Sequence, residues 1–531
     1  LRKSTARTAA VLAMTCVAAA TGAAPAPAQA QAQASAARGA VVRTDGGPVR
    51  GTLTADQRSF QGIPYAAPPV GELRWRSPQP PSPWADVRDA TRPGNFCAQT
   101  PDPLFGQPAH HTEDCLYVNV TTPRKATRPL PVMVWLHGGS FTHGAGHLYD
   151  PAWFVKQGDV VVVTVNYRLG AFGFFGHADL PGSGAFGLED QQAALRWVQR
   201  NIRAFGGNPR NVTLFGESAG GMSTCAHLAS PRAAGLFHKA IIQSGACTVN
   251  WPRNLLGPGT PDGATLYGSP EEVRTLGAAL MAGRGCATVD CLRAVPAADL
   301  LADPKAAALS RPMYGSAVLP EHPATALKAG RTHRVPLMMG ATRDEDRLFA
   351  AATSPNGITA EQYRSLLDTA FAHNAPRVAE RYPLADYESP GVAWATVSTD
   401  RVWSCPTLTA NRSAAPRMPV YGFEFADRGA PEIIPPVPGL PLGAYHGSDV
   451  LFLFPFAPEK MNEAQHALSR QVIAYWTRFA RTGDPNGPGS PHWARFRAGG
   501  DAVQAFEPGP GGVRRIDFDD RHQCGFWDSL R

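Results

Sequence analysis

Gly216-Glu217-Ser218-Ala219-Gly220 puts a serine between two glycines at a spacing that can serve nucleophilic chemistry. A serine hydroxyl is a weak nucleophile until a base takes its proton. Presented on a sharp strand-to-helix turn, it needs glycine on both sides, because the backbone is strained and neighbouring chain passes close. The surrounding text supplies that setting. Val212-Thr213-Leu214-Phe215 reads as a strand directly before the motif, and Met222 to Leu228 can continue as a helix after it. A helix N-terminus at Ser218 also favours developing negative charge. The five-residue pattern by itself is weak, arising by chance about a quarter of the time in a chain of this length and glycine content. Its context makes it a candidate.

A second element, His137-Gly138-Gly139-Ser140-Phe141, follows the apolar run Leu130 to Leu136. Two N–H groups of this loop and that of Ala219 can converge on one oxygen as an oxyanion hole. Each donor of that kind is worth about 100- to 1000-fold in rate. The serine also needs a base, and the base a carboxylate, in the chain order serine, acid, histidine. Counting does not select the base, because five histidines lie between Ser218 and His446. His446 stands out within Gly443-Ala444-Tyr445-His446-Gly447, after the strand Val420 to Phe425 and a Pro-rich loop. The strand Val335 to Gly340 empties into Arg343-Asp344-Glu345-Asp346, and on local grounds each of the three acids is eligible. An unshifted histidine would make activity fall below about pH 6 to 7.

These elements need a scaffold that brings them to one edge. Leu130–Leu136 and Val160–Val165 are apolar without alternation, as in strands buried on both faces of a parallel sheet. Asp190 to Ile202 places Ala194, Leu195, Val198 and Ile202 at helical spacing, and Phe205-Gly206-Gly207-Asn208-Pro209 stops it. Ala240–Ile242 and Val335–Met339 are further strands. Strand and helix in repetition predict a doubly wound α/β sheet. Residues from about Gly268 to Gly330 read as a helical, Ala-rich insertion above it.

Of 531 residues, 44% are hydrophobic and 18% charged, and the net charge is +7. That describes a globular chain with material for a large core. No basic run or aromatic-plus-basic stripe supports nucleic-acid binding. The first 30 residues read as a secretory signal: Arg2, Lys3 and Arg7, then the apolar Ala9 to Ala20, then Ala28-Gln29-Ala30 as a cleavage site, with Ala32 and Ala34 as alternatives. The apolar run is too short to span a bilayer, and Met14-Thr15 before Cys16 is a poor match for lipid attachment. Residues 31–40 read as a linker and 41–531 as a single domain. The expectation is a secreted protein with no stable membrane anchor.

Export permits disulfides. Eight cysteines follow Cys16, and spacing alone does not choose among roughly a hundred pairings. No pattern has zinc spacing, and His143 and His147, among glycines, read as loop residues rather than metal ligands.

Taken together, these motifs resemble the type-B carboxylesterases, a family that includes cholinesterases and bacterial para-nitrobenzyl esterases. The resemblance extends through Phe60–Tyr65, Glu113–Asn119, Val165–Phe174, Gly187-Leu188 with Asp190-Gln191, Phe205–Pro209, Phe215–Gly221 and Tyr475–Asn486. It implies an α/β-hydrolase fold: a large, mostly parallel sheet flanked by helices, with helical insertions over the active-site edge. It also implies a catalytic triad of Ser218, Glu345 and His446, oxyanion donors at Gly139, Ser140 and Ala219, and no metal or cofactor. The implied substrate is a small-molecule ester. The implied disulfides are Cys97–Cys115, Cys286–Cys291 and Cys405–Cys524, with Cys225 and Cys247 open between a fourth bridge and two thiols. Arg74 with Glu113 and Arg168 with Asp190 become structural ion pairs, and Glu217 is either a structural acid, the favoured reading, or a modulator of His446. The Cys97–Cys115 loop lacks the tryptophan with which cholinesterases hold a quaternary ammonium; Phe105 lies near that place. An inactive adhesion protein of the same fold would usually have lost the nucleophile or the base, and this chain retains serine, glutamate and histidine.

Overall fold

Apolar runs that lack alternation become strands buried on both faces. Every residue of Leu130–Leu136 and of Val161–Val165 is buried. The computed structural model describes residues 41–531 except 103–105, 181, 501 and 531. The expected signal (1–30) and linker (31–40) thus lie outside the described residues, as does Phe105; residues from 41 onward fall in one compact unit.

The strands among the described residues are β1 (Val41–Arg43), β2 (Pro48–Arg50), β3 (Thr52–Leu53), β4 (Gln57–Pro64), β5 (Arg88–Asp89), β6 (Tyr117–Pro123), β7 (Leu130–Leu136), β8 (Val161–Val165), β9 (Gly207–Glu217), β10 (Lys239–Gln243), β11 (Leu337–Thr342), β12 (Val420–Phe425), β13 (Ala502–Phe506) and β14 (Val513–Asp517). Strands β1, β2 and β5 make a small separate sheet. The main sheet has the order β14-β13-β12-β11-β10-β9-β7-β8-β6-β4-β3. From β8 across to β13 all neighbours are parallel, and the two flanks are antiparallel.

The chain reverses its direction of travel across the sheet between β7 and β9. In open α/β sheets, ligands bind outside the carboxyl ends of the strands at such a switch point. Register aligns those ends: Leu136 lies opposite Gly216, Glu217 opposite Gln243, and Gln243 opposite Gly340.

Several boundaries differ from the pattern reading; β11, for one, starts at Leu337 rather than Val335, and two others have a clear cause. The helix α1 (Phe186–Asn201) starts four residues before Asp190, and a Cβ on Gly187 would come within 2.7 Å of the Arg168 carbonyl oxygen. The absence of a side chain there lets the helix start against the preceding loop. Strand β9 begins at Gly207, within the segment read only as a helix stop. Gly206, at φ 91°, turns the chain directly into the strand, and Leu130 N donates to its carbonyl at 2.9 Å.

The stretch from 268 to 330 is helical, comprising Pro270–Gly283, Val289–Arg293, Ala297–Leu301, Pro304–Ala307 and Pro323–Ala329. Val273, Leu280, Leu292 and Leu300 from it share a secondary core with Trp75, Phe172 and Phe175. No helix among the described residues is long and apolar enough to cross a membrane.

Candidate active site

Ser218 stands between β9 and α2 (Ala219–Leu228) with φ 56° and ψ −124°, a backbone conformation rarely adopted outside glycine. Its amide donates to Gln243 O at 2.9 Å, and its carbonyl accepts from Met222 N at 2.9 Å, which starts the helix. The flanking glycines have no room for a side chain. A Cβ on Gly216 would lie 2.6 Å from Gly220 O and 2.7 Å from Leu136 O, and one on Gly220 would collide with Leu136 O.

The loop after β7 approaches the same turn. A Cβ on Gly138 would meet Glu217 Oε2 at 2.8 Å and Ser218 Cβ at 3.1 Å. Gly139, Ser140 and Phe141 have φ of 100°, 54° and 61°, so the loop coils tightly and exposes consecutive amides. It is pinned from behind by Thr142 N and His143 N, which donate to Gly139 O, and by Tyr167 OH, which donates to His137 O at 2.7 Å. Burial holds the His137 imidazole down at about 4, so the ring stacked on Tyr167 stays neutral. Among the described residues, no turn or loop hydrogen bond uses the amides of Gly139, Ser140 or Ala219 as donors.

The three eligible acids separate by direction. Asp344 accepts two bonds from Arg428, at 2.8 and 2.9 Å, and lies 3.2 Å from Arg347. Asp346 accepts from Trp403 Nε1 at 3.2 Å. Glu345 alone turns to His446, with Oε2 2.5 Å from Nδ1, while its Oε1 accepts from Thr342 N at 2.7 Å. Both Glu345 and His446 are buried.

His446 does not hydrogen-bond to Ser218. Its Nε2 has no hydrogen-bond partner and instead faces Glu217 Oε1 at 3.1 Å, outside hydrogen-bond alignment; that carboxylate oxygen is also unpartnered. Burial presses the imidazole toward its neutral form, but the carboxylates of Glu217, Glu345 and Asp449 outweigh it and lift His446 to about 9. Burial likewise raises Glu217, to about 8, against the pull of His446. The pair therefore retains a proton at neutral pH.

Two contributors to the surroundings of His446 had no local sequence signal. Trp403 and Phe349 pack on the His446 ring, with centroids 4.8 and 4.9 Å away. Asp449 accepts from Gln243 Nε2 at 2.6 Å, and Gln243 Oε1 accepts from Trp476 Nε1 at 3.2 Å, a buried relay beneath the site. His143 bonds to Thr100 and Thr142, and His147 packs on Phe96.

Among the described residues, four disulfides join the eight cysteines: Cys97–Cys115, Cys225–Cys247, Cys286–Cys291 and Cys405–Cys524. The second ties α2, which starts at the candidate nucleophile, to the segment after β10. Arg74 grips Glu113 and Arg168 grips Asp190, each through two nitrogens.

The profile of the Carboxylesterase family matches residues 38–527. The chain belongs to the carboxylesterase family. It is 36% identical over 482 residues to a para-nitrobenzyl esterase of Bacillus subtilis, covering 84% of this chain and 90% of that protein. It is 35% identical over 491 residues to an acylcarnitine hydrolase of Mus musculus, covering 85% and 84% of the two chains. A solved para-nitrobenzyl esterase structure superposes with a TM-score of 0.75 at 34% identity, over 91% of this chain and 99% of that one. Within this carboxylesterase family the fold is the α/β-hydrolase fold and the activity is carboxylic ester hydrolysis.

Proposed function

We propose that the protein is an exported serine esterase whose triad is Ser218, His446 and Glu345. The observation that carries this reading is the 2.5 Å contact of Glu345 Oε2 with His446 Nδ1, at the carboxyl edge where Ser218 is held in its strained turn. Glu345 fixes the tautomer and orientation of the ring and balances the imidazolium. His446 Nε2 moves from Glu217 to the Ser218 hydroxyl as substrate settles; catalytic hydrogen bonds commonly tighten only in the substrate complex.

Ser218 Oγ then attacks the ester carbonyl while His446 takes its proton. The amides of Gly139, Ser140 and Ala219 hold the oxyanion. His446 returns the proton to the departing alcohol, leaving an acyl-enzyme. Water, deprotonated by His446, attacks the acyl carbon and releases the acid and Ser218.

Export is supported by the signal-like first 30 residues and by four disulfides, which persist in oxidising compartments. Stopped-flow hydrolysis of para-nitrophenyl acetate tests the chemistry. An initial burst of para-nitrophenol equal to the enzyme concentration is expected if deacylation is the slower step, and Ser218→Ala should abolish turnover. Undiminished hydrolysis by Ser218→Ala overturns the proposal.

A further inference from the structure

A second buried histidine, His522, lies near the end of the chain and outside the site described above. Its Nδ1 is 2.5 Å from Asp400 Oδ1 and its Nε2 2.6 Å from Glu424 Oε1. Burial presses this ring toward its neutral form, but Asp400 and Glu424 at its two nitrogens outweigh it and favour the imidazolium. All three residues are buried. Arg521 pairs with Glu424, Tyr382 OH donates to the second Asp400 oxygen at 2.9 Å, and Trp527 Nε1 donates to Tyr382 OH at 2.8 Å. The Cys405–Cys524 bridge fixes the chain two residues beyond His522.

A buried ion cluster is weak evidence of stabilisation, because desolvation offsets most of the Coulomb gain. The position of Asp400 points to another role. It lies in Thr399–Ser404, a π-helical turn between the helices Pro390–Ser398 and Cys405–Ala414. Such wide turns recur at functional sites. Thr399 Oγ1, beside Asp400 in this turn, accepts from Asp346 N at 3.0 Å, and Trp403 donates to the Asp346 side chain. Trp403 also packs on His446, and Asp346 directly follows Glu345. A continuous chain of contacts thus runs from His522 through the π-turn to both partners of the Glu345–His446 pair. At its other end Glu424 anchors His522 to β12, a strand of the main sheet.

We propose that His522 is a positioning residue of the esterase site, holding the π-turn so that Trp403 and Thr399 set the angle of His446 and Glu345. The inference rests on the reading of His446 as general base. Loss of the strut lets the imidazole tilt, which lowers turnover without removing any group that touches substrate.

The test uses the full chain and para-nitrophenyl acetate, with wild type, His522→Gln, Trp403→Phe and the double variant. In His522→Gln, kcat should fall roughly 10- to 100-fold while KM stays within about twofold, the loss expected of a misplaced catalytic group. Because both act through the same turn, the double variant should lose little more than the worse single variant. The downfield proton resonance of the Glu345–His446 hydrogen bond should shift in His522→Gln. A folded His522→Gln with wild-type kcat and an unmoved resonance overturns the proposal, and so do losses that multiply in the double variant. Should His522→Gln not accumulate as folded protein, Asp400→Asn removes the charge from the same link and is read by the same criteria. An inactive wild type would instead refute the esterase reading itself.

Discussion

His446 is held between two glutamates, with Glu345 Oε2 2.5 Å from one ring nitrogen and Glu217 Oε1 3.1 Å from the other. The second contact is the less expected one, because it places a carboxylate facing the nitrogen that general-base chemistry requires. It turns the residue next to the nucleophile into the main electrostatic control on the base.

The first consequence concerns pH. Catalysis needs the neutral imidazole, and the surrounding carboxylates raise His446 to about 9, well above the range of an unshifted histidine. Because the Glu217–His446 pair gives up its proton only above neutrality, kcat/KM should still be climbing between pH 7 and 9. Glu217→Gln removes the nearest carboxylate on that side and should move the rise down by about one pH unit or more. A wild-type profile that is already flat above pH 7, or one unmoved by Glu217→Gln, contradicts this account.

Glu345 and Asp344 adjoin in sequence but should fail differently. Glu345→Gln leaves the volume intact and removes the charge that balances imidazolium, so kcat should drop by roughly 1000- to 10,000-fold with little change in thermal stability. Asp344→Asn leaves Arg347 buried beside a neutral amide. It should cost about 3 kcal/mol of stability while kcat changes only a few-fold. Parallel kinetics and thermal melts separate the two, and a reversed pattern would assign the roles wrongly.

Gly138→Ala tests the approach of the loop to the nucleophile. Its methyl would press on Glu217 Oε2 and Ser218 Cβ, displacing the amides that follow. The variant should fold yet lose about 100-fold or more in kcat, the scale of one oxyanion donor. Near-normal turnover would show that the loop has slack.

The Cys225–Cys247 bridge closes a loop with a sequence separation of 22. Its replacement by two alanines should cost about 2–4 kcal/mol by denaturant titration. An unchanged midpoint would mean that packing alone holds α2 in place.

What was legible in the sequence was mostly local. The serine turn needs glycines at 216 and 220 because neighbouring backbone occupies their Cβ positions, and the strands announce themselves through apolar runs. Local pattern did not select the acid, and only the family resemblance pointed to Glu345, since Asp344, Glu345 and Asp346 differ in which partner each side chain reaches, and those partners are Arg428, His446 and Trp403. Trp403 and His522 carried no signal either, because their partners are supplied by tertiary structure. The upward shift of His446 likewise depends on Glu217 at the end of β9 and Glu345 after β11 converging on it beside Asp449. Cys225 and Cys247 become neighbours, with Cα atoms 5.3 Å apart, only because α2 packs beside β10.

The most direct test is covalent labelling with a fluorophosphonate followed by peptide mass spectrometry. The account predicts one adduct per chain, on Ser218, absent in Ser218→Ala and slowed at least about 100-fold in His446→Gln, as expected when the activating base is lost. An adduct on another residue, or labelling of Ser218 at an undiminished rate without His446, would contradict it.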